Sequence, residues 1–294
     1  IEDLYNAYLN TIASILAMVG DLVDLTTSDK TSIVNAINSI VSELATLIDI
    51  VIYHAPTVAV MIANDYPLGA TVITQGYHAI NDGGSAEYTI VDTAPVNAYY
   101  ETLANGKFAV LTIKSTMTFE QFGAYGDNVN DDAPAIQNAI KYCGNIRANN
   151  VYRIKSAIEM NSTGDLTPEL ATDPDCHVMG KGKNVSLTVS ASTVADISED
   201  EATFVMDGGY FHLRGTSRVD FSNCVFMGQT GNTKVESAFE LTDPARKLNI
   251  TDCTFANLKY GVHCDEHGRW SGESIYSGLY FILCEYGIKY DGQG

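Results

Sequence analysis

The stretch FANLKYGVHCD (Phe255 to Asp265) returns twenty-six residues later as FILCEYGIKYD (Phe281 to Asp291), with Phe, Tyr, Gly, a β-branched residue and Asp in the same places. A return at that interval is one coil of a solenoid. A parallel β-helix makes a coil from roughly 20–30 residues and stacks coils about 4.8 Å apart, the spacing of hydrogen-bonded strands. The repeat therefore predicts Phe255 on Phe281, Val262 on Ile288 and Cys264 against Tyr290 in neighbouring coils.

One coil earlier the match shifts to twenty-nine residues. Val219-x-Phe221-x-x-Cys224-x-Phe226 aligns with Leu248-x-Ile250-x-x-Cys253-x-Phe255. The two-residue steps aim side chains inward from a strand. The three-residue step is a tight turn holding Asn223 or Asp252. The segment Gly228 to Lys234 reads as a loop inserted in that coil, which accounts for the longer period, since insertions in solenoids go to loops. A coil left open at Gly294 would expose edge and core, so the natural protein is expected to continue past that residue.

Upstream lies FEQFGAYGDNVNDDAPAIQNAIKYC (Phe119 to Cys143). Asp131 or Asp132 is suited to cap a helix and Pro134 to its first turn. Ile136, Ala139, Ile140 and Cys143 then make one apolar stripe. A short amphipathic helix at about 132–143 would cover the first coil of a solenoid. A metal site from Asp127, Asp131 and Asp132 is the rival reading of the acids, which capping and turn formation explain fully. Phe122-Gly123-Ala124, Gly126-Asp127, Asp131-Asp132, Ala135-Ile136-Gln137 and Ala139-Ile140 resemble the opening signature of pectate-lyase-like right-handed β-helix proteins. VYRIKSAIEM (Val151 to Met160) resembles the first coil after it. Where that family usually has Pro-Ala/Gly-Gly before the Tyr, this chain has Ala148-Asn149-Asn150. GYHAINDGGSAEYTI (Gly76 to Ile90) is similar to the segment preceding the signature in many bacteriophage tailspikes and appendages.

Three segments follow. Residues 117–294 are the N-terminal part of a right-handed parallel β-helix, and the chain is mainly β. Residues 56–116 form a small β-rich module, with alternating apolar and polar residues around Asn81 to Gly84 and a further strand at Lys107 to Ile113. Residues 1–55 read as helical and coiled-coil-like. Tyr5, Tyr8, Ile12, Ile15, Val19 and Leu22, and after a break Ile33, Ile37, Ile40, Leu44, Leu47 and Val51, keep a 3–4 spacing. A narrow seam of that kind wants a partner helix, on the same chain or on identical chains, and association of identical chains is expected. The break, Thr26 to Asp29, suits a capping box with Thr26 as N-cap. TTSDKTSIVNAIN (Thr26 to Asn38) resembles a short element of phage tail and baseplate proteins.

Bulk properties bound the function. Among 294 residues, hydrophobic content is 46%, charged content 18% and formal net charge −19. So acidic a chain is repelled by nucleic acid and anionic bilayers. The longest apolar stretch, Ile33 to Tyr53, carries Asn35, Asn38, Glu43 and Asp49, so no membrane insertion is expected. Cys143, Cys176, Cys224, Cys253, Cys264 and Cys284 follow no disulfide-knot or zinc spacing and read as reduced core thiols, as suits assembly in a cytoplasm. No metal or cofactor is called for. A chain opening on Ile1 is expected to be a fragment or processed.

Glycan cleavage needs paired carboxylates at a fixed separation. Asp265 and Asp291 hold matched positions on successive coils, which would set them roughly 5 Å apart, near the retaining range. They are the catalytic candidates. His263, Glu266, His267, Arg269 and Trp270 lie beside them and are the glycan-binding candidates. Against catalysis, Asp also ends a strand and makes the turn, and it repeats because the turn repeats. Binding by this loop has more support than cleavage. The resemblance implies a homotrimeric phage tailspike or tail appendage, part of the virion and assembled in the host cytoplasm. Its N-terminal segment would dock on tail, baseplate or neck proteins, and its β-helix would bind, with or without depolymerising, host surface polysaccharide. The rival reading is a structural anchor and spacer without glycan activity. A free polysaccharide lyase is a third, opposed by the heptad seam.

Overall fold

A computed structural model describes residues 2–19, 38, 52–160, 176–180, 199, 202–213, 218–230, 235–242, 247–264 and 274–291. The chain divides into two units, Ile1–Val51 and Ile52–Gly294. In the first, α1 spans Glu2–Val19. Of its described side chains, Asn6 to Ser14, Ile12 is half-buried, while Tyr8 and Leu9 are exposed. Ile15 and Val19 also lie on this helix. The seam positions Leu22, Ile33, Ile37, Ile40, Leu44, Leu47 and Val51, and the break at Thr26 to Asp29, fall outside the described residues.

The second unit opens with β1 (Ile52–Ala55), α2 (Val58–Ala63), β2 (Thr71–Thr74), β3 (Glu87–Val91), β4 (Tyr100–Thr102) and β5 (Phe108–Leu111). They make a five-stranded sheet in the order β1-β2-β3-β5-β4, antiparallel except for the β1–β2 pair. The turn at Asn81 to Gly84 belongs to a longer loop wound on Asp82. That carboxylate accepts backbone N–H bonds from Tyr77 (3.1 Å), His78 (2.7 Å), Ala79 (2.9 Å) and Gly84 (2.8 Å). Burial works against its charge, but the four donors hold the carboxyl below its ordinary range.

From Met117 on, the chain winds in coils, and each full coil contributes one strand to each of three parallel sheets. The first coil supplies β6 (Met117–Thr118) to sheet I and β7 (Asp127–Asp131) to sheet II. Where a sheet III strand would follow stands α3 (Ala133–Tyr142), packed on β10 (Ile158–Met160) and on the 3₁₀ turn Phe119–Phe122. It is the predicted covering helix, with Ala135, Ile136, Ala139, Ile140 and Cys143 buried. Asp132 precedes it but makes no capping bond of its own. Its carboxylate accepts from the backbone of Tyr125 (2.6 Å), Gly126 (3.3 Å) and Arg153 (3.3 Å), while Asp131 takes the Ala133 N–H (3.2 Å).

The next four coils run β8 (Asn145–Arg147), β9 (Val151–Ile154) and β10; β11 (Cys176–Met179), β12 (Phe204–Met206) and β13 (Phe211–Leu213); β14 (Arg218–Ser222), β15 (Val225–Gly228) and β16 (Val235–Leu241); β17 (Lys247–Thr251), β18 (Thr254–Ala256) and β19 (Leu258–Cys264). The last described coil is β20 (Tyr276–Ser277), β21 (Tyr280–Ile282) and β22 (Tyr286–Tyr290). Each pairs with its neighbour in parallel, and Phe255↔Phe281, Val262↔Ile288 and Cys264↔Tyr290 are in register as predicted. At the departure from the β-helix signature, the Asn149 N–H donates to the Tyr152 hydroxyl (3.1 Å) and Asn150 Nδ2 to Glu120 Oε1 (2.5 Å).

Aromatic rows fill the interior. Phe204, Phe226, Phe255 and Phe281 stack with centroids 5.2, 5.1 and 5.2 Å apart. Phe211 and Phe239 form a second row at 5.2 Å. The repeated glycine makes room for them: a Cβ on Gly261 would stand 2.6 Å from the Gly287 carbonyl oxygen and 2.8 Å from the Phe281 ring. The sheet I to sheet II corner is constant, for Phe221 to Phe226, Ile250 to Phe255 and Tyr276 to Phe281 are each a step of five residues. Asn223 (φ 55°), Asp252 (φ 52°) and Gly278 (φ 62°) make that turn in successive coils. The change of period has two sources. Gly228 itself ends β15, and the residues after it lengthen the step to β16. The longer turn from β19 to β20 in the next coil then takes half of that difference back. Cys143, Cys224 and Cys253 are buried free thiols, and Cys264 is buried as well.

Candidate functional site

Sheet III carries a set of polar side chains that the coils bring together. In β19 the usual alternation is interrupted: Gly261 and Val262 both face the core, which leaves Tyr260 and His263 on the outside. Parallel register sets the matching residues of β16, β19 and β22 in line. One row is Ser237, Tyr260 and Tyr286, of which Ser237 and Tyr260 are buried and Tyr286 is exposed; the other, outer row is Glu159, His212, Glu240, His263 and Lys289. Acids and bases alternate along the second row from Glu159 to His263, and each histidine is hydrogen-bonded to the Glu of the coil before it, His212 to Glu159 and His263 to Glu240, which favours this register.

His263 is its most elaborated member. Nδ1 lies 2.7 Å from Glu240 Oε2 and Nε2 lies 3.2 Å from Asp291 Oδ2. The ring stacks on Tyr260 at 4.5 Å, and Tyr260 stacks on Tyr286 at 5.6 Å. Ser237 Oγ donates to the other Glu240 oxygen, and Lys289 Nζ donates to Asp291 Oδ1. Lys289 first and His263 second hold the Asp291 carboxyl below its usual range, and Asp291 in turn raises the Lys289 ammonium. Beside them Lys259 pairs with Glu236 (2.5 Å).

Of the predicted site residues, His263 and Asp291 are thus brought into contact. Asp265, Glu266, His267, Arg269 and Trp270 lie outside the described residues, and with them the proposed Asp265–Asp291 pair. The sequence reading missed Glu240, Lys289, Tyr260 and Tyr286. Their signal was available: aligning VESAFEL (Val235 to Leu241) with LKYGVHC (Leu258 to Cys264) sets Glu240 over His263. Among the described residues, no group of three or more His, Cys, Asp or Glu side chains is placed to hold a metal ion. The cluster offers carboxylate acceptors, an ammonium donor and the exposed ring of Tyr286 on a stacked sheet, the side-chain kinds that recognise hydroxyl-rich ligands.

No family model matches this chain, and no curated protein matches its sequence. Solved structures do. The tailspike protein of Acinetobacter phage vB_ApiP_P1 aligns over 81% of this chain and 38% of its own, with a TM-score of 0.50 and 15% identity. The tailspike protein gp49 of Acinetobacter baumannii bacteriophage Fri1, described as a capsular polysaccharide depolymerase, aligns over 79% of this chain and 42% of its own (TM-score 0.48, 14% identity). Tailspike protein 2 of bacteriophage CBA120 aligns over 89% of this chain and 39% of its own (TM-score 0.45, 14% identity). The chain therefore spans about two fifths of the length of these structures, and the likeness is one of fold, the parallel β-helix.

Proposed function

We propose that this chain is part of a bacteriophage tail appendage whose β-helix binds host cell-surface polysaccharide, with the outer face of sheet III around His263 as contact surface. The observation that carries this is the row of polar and aromatic side chains held in register on a stacked, covered β-helix, a fold it has in common with a phage tailspike. Stacked coils make a stiff scaffold, and a glycan needs many weak polar contacts held in fixed relation. The N-terminal helix, with its 3–4 seam, associates three chains and docks them on the tail, which makes the protein a virion component.

The rival reading, an anchor and spacer without glycan activity, has its own support. On this face Glu240, His263, Lys289 and Asp291 already satisfy one another across coils. The two readings separate in one experiment. The whole protein is incubated with surface polysaccharide of the host, and retained glycan and released fragments are measured. Retention that drops about tenfold or more in Asp291→Asn and His263→Gln, with melting unchanged, supports the contact surface; retention equal to the parent's in both variants removes it. Fragment release decides whether binding extends to cleavage.

A further inference from the structure

Glu159, His212 and Thr242 come from three successive coils and form a hydrogen-bonded line on sheet III. His212 Nδ1 lies 2.9 Å from Glu159 Oε1 and Nε2 lies 2.7 Å from Thr242 Oγ1. A carboxylate can only accept, so Nδ1 carries a proton. In the neutral ring Nε2 is then bare, and the Thr242 hydroxyl donates to it. A tautomer fixed by an acid and a bare nitrogen set on a hydroxyl are the geometric requirements for activating that hydroxyl as a nucleophile. His212 is 5% exposed and lies against the edge of Tyr210, which fixes the ring, while Thr242 remains half-buried and Glu159 partly open.

The same molecule supplies the contrast. His263 stands further along the same outer row and also has a Glu of the preceding coil on Nδ1. Its Nε2 faces Asp291, two residues beyond the row residue of the following coil, which is the place Thr242 takes relative to Glu240. At that node a carboxylate stands where the other has a hydroxyl. Cross-coil bracing is served by either; a hydroxyl on the bare nitrogen adds chemistry.

We propose that Thr242 is a nucleophile toward O-acyl esters, with His212 as its general base and Glu159 as a positioning residue. Thr242 Oγ bonds to the ester carbonyl carbon as its proton passes to His212 Nε2. The bond to the alcohol oxygen breaks and that oxygen leaves with the same proton. Water, giving its proton to His212, then cleaves the threonyl ester, releases the carboxylic acid and restores the hydroxyl. This activity is independent of the polysaccharide reading above.

The test uses the whole chain with p-nitrophenyl acetate, following nitrophenolate release and mapping the acetyl group by peptide mass. Acetyl on the peptide carrying Thr242 is expected. Release should fall by about two orders of magnitude or more in Thr242→Ala and His212→Gln, and persist in Thr242→Ser, which keeps the hydroxyl. Glu159→Gln should slow release and move the His212 Nδ1–H proton resonance upfield, a signature that altered packing alone would not give. Acetyl found only on other residues, or Thr242→Ala releasing nitrophenolate as fast as the parent, overturns the proposal.

Discussion

Asn257 turns the chain from sheet II to sheet III with a left-handed backbone (φ 53°), and its buried amide donates to the carbonyls of Gly228 (3.3 Å) and Gln229 (3.0 Å) of the coil before. An L-residue other than Asn, Asp or Gly is strained there by roughly 1–2 kcal/mol, and each lost buried hydrogen bond costs about 1 kcal/mol. Asn257→Ala is therefore expected to cost about 2–4 kcal/mol in denaturant unfolding. Leu283 takes the same position one coil on with φ 57° and lacks both the tolerance and the amide. Asp132 makes a prediction in pH. Burial pushes its carboxyl up to about 6 despite three backbone donors, so the folded chain holds this proton more tightly than the unfolded one. Its contribution favours folding below the unfolded carboxyl value of about 3.9 and is lost as pH rises through about 6. Asp132→Asn should flatten stability against pH within that window, read from melting temperatures, even where it lowers stability throughout; an unchanged slope would contradict the assignment.

At the scale of elements, α3 stands in for a strand. Ile136 sits fully buried at the start of the solenoid, and Ile136→Ala should cost about 2–5 kcal/mol, with hydrogen exchange rising first in β10 and the 3₁₀ turn it covers. How much of this was legible follows from what each element depends on. The twenty-six-residue return gave the stacking because identical corners force identical neighbours. The α3 stripe was readable because its period belongs to one element. The sheet III face was not read, since it depends on Gly261 and Val262 facing inward together, a break in alternation set by the Phe255 and Phe281 rings. For that reason Glu240 and Lys289 went unnoticed beside His263. The Glu159, His212 and Thr242 line was further out of reach, because loops of unequal length separate its members in sequence. The Asp131 and Asp132 roles were read together and divide in the structure: one caps, and the other ties three backbone N–H groups that meet only after a full coil.

For the whole molecule, the proposed assembly is three chains held through the 3–4 seam. Sedimentation of the intact protein should report a trimer, and Ile12→Asp with Ile40→Asp should shift it toward single chains by removing apolar contacts at two seam positions. A parent that sediments as a monomer would remove the trimer and leave the β-helix untouched. The β-helix itself depends on remote residues meeting ring on ring. The direct measurement is a double-mutant cycle on Phe226 and Phe255, twenty-nine residues apart in sequence, with parallel rings and centroids 5.1 Å apart. Phe226→Leu, Phe255→Leu and the pair are compared by denaturant unfolding. Stacked coils predict a coupling of about 0.5–1.5 kcal/mol. Losses that add to within about 0.3 kcal/mol would mean that the two rings do not touch and that the coils are not stacked as described.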